Sequence, residues 1–185
     1  MFGLGIGIVV VVVVILAIAA AGAYNTFVRL RANTDEAFST MDVYLKRRFD
    51  MIPNLVEIVK GYAAHESSTL EKVIQARSGI SGAQNMEERI ANENALSQTL
   101  KSLFAVAESY PNLKANDQFM DLQQKLTGVE EDILNARKYY NGNVKILNVK
   151  VEMFPSNIFA MMFGFKKYPF YLADEAEREN VQVQF

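Results

Sequence analysis

The sequence contains no cysteine. This absence excludes disulfide bonds, a thiolate nucleophile, a cysteine-ligated zinc site and a lipid-modified cysteine anchor. The one histidine, His65, stands beside Glu66 in a polar interruption. Metal sites in helical bundles need further ligands at helical spacing, and no such ligands accompany His65. We therefore expect no metal and no cofactor, and we place His65 in a surface loop.

Charge is missing from the start of the chain. No Asp, Glu, Lys, Arg or His precedes Arg29, although the sequence holds 19 Lys and Arg and 21 Asp and Glu. The net charge of -2 gives no support for a nucleic-acid surface, because such surfaces cluster Lys and Arg to neutralise phosphates. We therefore expect no nucleic-acid partner.

The uncharged start is an apolar run from Gly3 to Ala23. Six consecutive valines run from Val9 to Val14, and Ile15 follows them. Such β-branched density favours a strand in water, but in a bilayer only a helix satisfies its own backbone groups. About 20 apolar residues cross the hydrocarbon layer. The sequence therefore predicts a transmembrane anchor over residues 1–28, with the lipid bilayer as a partner.

A cleaved secretory signal is the alternative, because the small residues from Ala19 to Ala23 resemble a cleavage site. We favour the retained anchor, since no Lys or Arg precedes the run and the run exceeds the usual signal core of about 7 to 15 residues. Gly3 and Gly7 have the G-x-x-x-G spacing that lets two membrane helices approach.

Arg29 and Arg31 follow the apolar run, and further basic residues lie at positions 46–48. The positive-inside rule then predicts an N-terminus outside the cell and a cytoplasmic domain over residues 29–154.

Two stretches repeat apolar residues in alternating steps of three and four, the period of a helix packed along its neighbours. The first stripe comprises Thr34, Phe38, Met41, Leu45, Arg48, Ile52, Leu55, Val59 and Tyr62. The second comprises Phe119, Leu122, Leu126, Val129, Ile133, Ala136, Tyr140, Val144, Leu147, Val151 and Phe154. Pro53 lies inside the first stripe, so we expect a kink or two stacked helices there.

Two shorter helices are expected between the long ones. Ser68 and Glu71 have the spacing of a capping box at the start of the first, and Pro111 stops the second. We therefore predict an all-α fold in which the transmembrane helix continues toward a long antiparallel four-helix bundle, ordered up-down-up-down. A short aromatic helix and a C-terminal tail occupy residues 155–185.

Arg48 occupies a core-type position in the first stripe. One interpretation is a buried charge that pairs with a carboxylate, for which Glu108, Glu130 and Glu131 are candidates. We favour the other, in which the side-chain stem is buried and the guanidinium reaches water at the bundle edge.

The aromatic helix is the candidate interaction segment. It comprises Phe154, Pro155, Ile158, Phe159, Met162, Phe163, Phe165, Lys166 and Lys167. In one interpretation it docks on the bilayer interface or on a neighbouring subunit, with its lysines near anionic headgroups. In the other, its aromatic rings close the membrane-proximal end of the bundle core.

Several stretches resemble the LemA family of bacterial membrane proteins. They are residues 24–25, 36–39, 110–115, 136–141, 154–157 and 174–179, and above all Leu45-Lys46-Arg47-Arg48-x-Asp50-x-Ile52-Pro53-Asn54-Leu55-Val56. The resemblance implies a single span with the N-terminus outside the bacterial inner membrane and a cytoplasmic four-helix bundle. It implies no reaction, and magnetosome-associated relatives tie some members to the organisation of membrane organelles.

No grouping of residues in the sequence is typical of a catalytic site. We therefore expect a non-enzymatic, membrane-anchored scaffold that forms homo-oligomers or binds a membrane protein partner. The alternative is a membrane-tethered sensor or adaptor that regulates a partner membrane protein.

Overall fold

The computed structural model describes residues 2–63 and 65–172, so the predicted tail beyond residue 172 lies outside the described residues. The helices are α1 Phe2–Tyr62, α2 Ser67–Gly82, α3 Met86–Ala107, α4 Pro111–Lys114, α5 Asp117–Glu152 and α6 Ser156–Phe163. These described ranges contain no strand. The prediction of an all-α fold with a long apolar N-terminal helix is therefore confirmed.

The chain divides into two compact units. Unit 1 comprises Met1–Ser39 and Lys138–Phe170, and unit 2 comprises Thr40–Arg137 and Tyr171–Phe185. The long helices α1 and α5 therefore contribute residues to both units. The predicted segment boundaries at residues 28 and 154 rest on hydropathy rather than packing, and they stay predictions.

Unit 2 has one apolar core, to which α1, α2, α3, α4 and α5 all contribute. Its buried side chains are Ile52, Leu55, Val59, Ala63, Leu70, Val73, Leu96, Leu100, Leu103, Ala107, Leu113, Phe119, Leu122 and Leu126. The three-and-four spacing places these residues on one side of each helix, and their burial supplies the hydrophobic stabilisation of the unit. The up-down-up-down order of the four long helices stays a prediction.

Unit 1 has a smaller core around Phe27 of α1, Leu147 of α5 and Ala160 of α6. The aromatic rings of Phe159 and Phe165 pack against it. The segment after α6 is fixed along α5, because the Asn148 side chain donates to the Tyr168 carbonyl at 2.9 Å and accepts from the Tyr168 N–H at 2.8 Å. Tyr140 also donates its hydroxyl to the Pro169 carbonyl at 2.9 Å.

α1 passes through Pro53 without a break in the helix; Pro53 is exposed, whereas Ile52 and Leu55 beside it are buried and hold the register. The expected kink at Pro53 stays a prediction. Two local expectations are wrong. α2 begins at Ser67, and no side chain caps it, so the capping box at Ser68 does not form. α5 ends at Glu152, and Phe154 is exposed instead of continuing the buried stripe.

Two glycine substitutions should change stability in opposite directions. Gly128 is exposed inside α5 with nothing near a new Cβ, so Gly128→Ala should stabilise the protein by about 0.5–1 kcal/mol. Gly164 ends α6 at φ 74°, where an L side chain is strained, so Gly164→Ala should destabilise it by roughly 1–2 kcal/mol. Thermal unfolding of the full chain in detergent, followed by circular dichroism, measures both. Equal stability of the two variants would contradict the observed end of α6.

Candidate functional site

A charged network lies inside unit 2 and is centred on Arg48. Arg48 of α1 is 0% exposed, and its guanidinium donates to Glu93 Oε2 of α3 at 2.5 Å and to Glu130 Oε1 of α5 at 2.7 Å. The same guanidinium donates to Ser97 Oγ at 2.5 Å and to the Glu93 carbonyl oxygen at 3.2 Å. One cation thus joins three helices.

The favoured expectation for Arg48, with its head in water at the bundle edge, is wrong. The helix spacing placed Arg48 in the core stripe. Its guanidinium is buried because two carboxylate acceptors on other helices pair with it. Glu130 was among the candidate partners, whereas Glu93 was missed. The position of Glu93, three residues before Leu96 in the apolar stripe of α3, was the signal that could have found it.

The surroundings shift the pKa of both Arg48 and Glu93. Burial alone would lower the pKa of Arg48, but the carboxylates of Glu130 and Glu93 more than offset this and raise it above its ordinary value. Burial raises the pKa of Glu93, and the attraction of Arg48 offsets only part of that effect. Glu130 is about one third exposed, so it lies at the edge of the network and meets water. Arg48 therefore remains a cation, and the network depends on it.

Tyr171, in the segment that follows α6, covers the network. Its side chain is buried, and burial raises the pKa of its hydroxyl, so the ring stays neutral. The Arg137 guanidinium lies 5.7 Å from the centre of the Tyr171 ring, and the Asn94 side chain donates to the Leu172 carbonyl at 2.9 Å. The cavity beside this contact, which Glu130 also lines, is about 50 Å³, room for a few waters and far below the size of a small-molecule pocket.

The chemical capacity of this arrangement is structural. Arg48 is surrounded by acceptors that hold its position, and the part of the chain that the structure describes has no group of three or more His, Asp or Glu that could hold a metal. His65 is exposed in the turn between α1 and α2. The network is therefore suited to fixing the register of three helices.

The predicted interaction segment has an inner and an outer side. Phe165 stacks on Phe27 with ring centres 4.9 Å apart, and Phe163 meets the ring of Tyr24 edge-on at 5.1 Å. Phe159 also packs inward on the unit 1 core. Phe159 and Phe165 thus pack on the core of unit 1, whereas Phe163 remains 38% exposed. The choice between the two interpretations of this segment stays open.

The outer side of the segment is apolar and exposed. Phe154 is 75% exposed, Ile158 55%, Met161 83% and Met162 60%, and together they form what we call the α6 surface. Met161 was not among the predicted residues, although its position next to Met162 was a signal for it. Pro155, Lys166 and Lys167 are also exposed, and Lys167 pairs with Glu152.

A second apolar surface, which the sequence analysis missed, lies on α5 within unit 1. Tyr139, Gly142, Ile146, Val149 and Met153 are exposed and follow steps of three and four, and we call them the outer α5 stripe. The signal was present in the sequence, because these residues alternate with the buried stripe that the analysis followed.

The predicted span lies in the first part of α1. Its most apolar 18-residue window has a mean hydropathy of 3.1, and no residue of that window is buried. Gly7, Val9, Val14 and Ile15 are exposed, and Ala23 at the end of the run is half-buried. By length and composition the helix qualifies as a candidate span.

The residues assigned to topology, Arg29 and Arg31, follow the candidate span. Both are exposed, and Arg31 pairs with Asp35 at 3.7 Å.

The sequence model of the LemA family matches residues 37–185. The chain belongs to the LemA family. Magnetosome protein MamQ 2 of Paramagnetospirillum magneticum (strain ATCC 700264 / AMB-1) is 25% identical over 174 residues, which cover 80% of this chain and 64% of that protein. Protein LemA of Metamycoplasma hominis is 25% identical over 163 residues, covering 88% of this chain and 74% of the relative.

The chain thus spans 64% of the length of the magnetosome relative. Family membership and the apolar α1 together indicate a membrane-associated helical protein.

Removing the buried cation should cost more stability than removing a partly exposed one. Arg48→Met leaves Glu93 buried without a counter-charge, so we expect a loss of about 3–5 kcal/mol. Arg77→Met is the control, because Arg77 is half-buried over the Phe49 ring at 4.0 Å, and it should lose only about 0.5–1 kcal/mol. Denaturant unfolding of the full chain in detergent compares them. Equal losses would show that the network does not hold the fold.

Proposed function

We propose that this protein is a non-enzymatic, membrane-anchored scaffold that self-associates. Its N-terminus lies outside the bacterial inner membrane and its helical domain lies in the cytoplasm. The observation that carries the proposal is the outer α5 stripe, which is an apolar helix face with the spacing of a helix–helix seam and no covering element among the described residues of unit 1.

The outer α5 stripe lies on the side of the helix opposite the buried stripe. Tyr140, Val144 and Leu147 are buried, whereas Tyr139, Ile146 and Val149 are exposed. Steps of three and four keep such a stripe facing one partner helix, as in coiled coils and bundles. An isolated monomer gains nothing from a second apolar face, so its occupant is the matching face of another copy.

Gly142 lies in the middle of the outer α5 stripe and supports the same assignment. A Cβ built there meets no atom within 4 Å, so the α5 backbone is accessible at this point. A glycine in a helix interior is destabilising by about 0.5–1 kcal/mol relative to alanine. Close approach of a second helix offsets that cost.

The continuity of α1 fits a scaffold better than a tethered enzyme. α1 continues from the apolar run without a break, so no flexible linker separates the candidate span from Phe27, Thr34 and Ala37, which α1 buries in unit 1. A unit anchored without a linker has few orientations available, which lowers the entropy cost of assembling copies side by side. Magnetosome proteins are among the relatives, which is consistent with a role at a membrane.

A sensor or adaptor is the second candidate, and the Arg48 network is the observation that favours it. A ligand or partner that bound at Glu130, the exposed edge of the network, would act on three helices at once. The small cavity there is lined by Glu130 and Tyr171. If a partner pull-down is lost in Glu130→Gln while the melting temperature is unchanged, the adaptor function gains over the scaffold.

A charge in the outer α5 stripe should disrupt self-association. Ile146→Glu places like charges across the seam, so we expect association weaker by about tenfold or more, which corresponds to ~1.4 kcal/mol. Val43→Glu is the matched control, because Val43 is an equally exposed apolar residue of α1 outside the stripe, and it should leave the mass unchanged. Light scattering in detergent and crosslinking in membranes measure the assembly. A monomeric wild-type protein, or an unchanged mass of Ile146→Glu, contradicts the proposal.

Single cysteines report the orientation, because the natural sequence has none. In right-side-out inner-membrane vesicles, Phe2→Cys should react with a membrane-impermeant maleimide. Val43→Cys should react only after detergent is added. The reversed pattern would place the helical domain outside and refute the assigned orientation.

A further inference from the structure

We propose that the α6 surface lies in the headgroup region of the bilayer, so that the protein contacts the membrane through a second element besides the apolar run of α1. The residues concerned are Phe154, Ile158, Met161 and Met162. This inference rests on the proposed membrane anchoring, and it names lipid as the occupant of the α6 surface.

The first argument is the level of α6 along α1. The apolar run ends at Ala23, and the next residue, Tyr24, meets Phe163 of α6 with ring centres 5.1 Å apart. Tyr24 also lies 5.9 Å from the ring of Phe165. If the apolar run spans the hydrocarbon layer, α6 must lie where that layer ends. Aromatic residues concentrate at this level of membrane proteins.

The second argument is the composition of the exposed face. Met161 is the most exposed of the large apolar side chains that the structure describes, and Phe154 is nearly as exposed. An eight-residue helix with an inner face packed on the protein and an outer face of methionine and isoleucine, preceded by the exposed Phe154, is suited to lie in the plane of the interface. In water the same face would be an aggregation hazard.

The third argument is the charge beside this face. Lys166 lies three residues after the end of α6 at Phe163, and Arg29 and Arg31 follow the apolar run on α1, all of them exposed. Basic side chains at this level attract the anionic headgroups of the cytoplasmic leaflet. An open groove of about 390 Å³ lies beside the end of α6, with Tyr24 and Phe163 in its apolar lining and Arg31 and Asp35 in its polar lining. The headgroup of a lipid would contact the polar lining of this groove, and the top of its acyl chain would contact the apolar lining.

A second copy of the chain is the competing occupant, and the structure favours lipid for this surface. The outer α5 stripe has the regular spacing that a partner helix requires, whereas α6 has only eight residues and its exposed side chains are flexible methionines. Flexible, polarizable side chains suit a fluid environment that imposes no register.

The experiment uses tryptophan as a depth probe, because the natural chain contains none and excitation at wavelengths that its eight tyrosines do not absorb leaves no background. The full chain is reconstituted in vesicles of equal parts zwitterionic and anionic phospholipid, with the lipids brominated near the top of the acyl chains in one sample and near their ends in another. Met161→Trp reports the α6 surface, Val12→Trp reports the apolar run, and Val43→Trp is the aqueous control. Ile158→Trp is a second reporter in case Met161→Trp fails to fold.

We expect Met161→Trp and Val12→Trp emission to be quenched roughly two-fold by brominated lipid, and Val43→Trp emission to be unchanged. Quenching of Val12→Trp without quenching of Met161→Trp or Ile158→Trp overturns the inference and leaves the anchoring intact. If brominated lipid does not quench Val12→Trp, both the proposed membrane anchoring and this inference are contradicted. Protection of Met161→Trp from aqueous acrylamide without quenching by brominated lipid assigns the α6 surface to a protein partner and also overturns the inference.

Discussion

The guanidinium of Arg48 is the point on which the packing of unit 2 depends. It is a cation without access to water, and it is stable there only because Glu93 and Glu130 arrive from two other helices at hydrogen-bonding distance. Apolar side chains tolerate small slips along a helix, since one methyl contact replaces another. A buried ion pair does not tolerate such slips, because a shift of one residue separates the charges. The hydrophobic core therefore supplies the free energy of folding, and Arg48 selects one register for α1, α3 and α5.

The packing of unit 1 depends on a different kind of interaction from that of unit 2. Its contacts are aromatic rings and backbone hydrogen bonds, and Tyr24 and Phe27 bring α1 onto the segment around α6. Asn148 pairs with the backbone of Tyr168 through both polar atoms of its side chain, which fixes an extended segment that has no helical bonds of its own. Polar side chains thus order the inner side of this unit, and its outer side is left apolar on both α5 and α6. We assign these two outer faces to a second copy and to lipid, respectively.

Helical spacing in the sequence was sufficient to predict the all-α fold and most of the buried positions of α1 and α5. It failed where tertiary contacts decide the outcome: Phe154 leaves the core because α5 ends two residues earlier. The apolar stripe of α3 marks Glu93 as a core position, but its pairing with Arg48 could not be derived, because the two residues are 45 positions apart and sequence alone does not align α1 with α3. The outer α5 stripe could have been found, since every residue of it has heptad spacing.

The order of the Arg48 contacts along the chain has a consequence for biosynthesis. The cation leaves the ribosome early, its acceptors follow at positions 93, 97 and 130, and the ring that covers the network follows at position 171. During translation Arg48 must therefore remain hydrated until its acceptors have been made. The ion network can close only after residue 130, so a chain that ends before Glu130 exposes a cation that the complete fold buries.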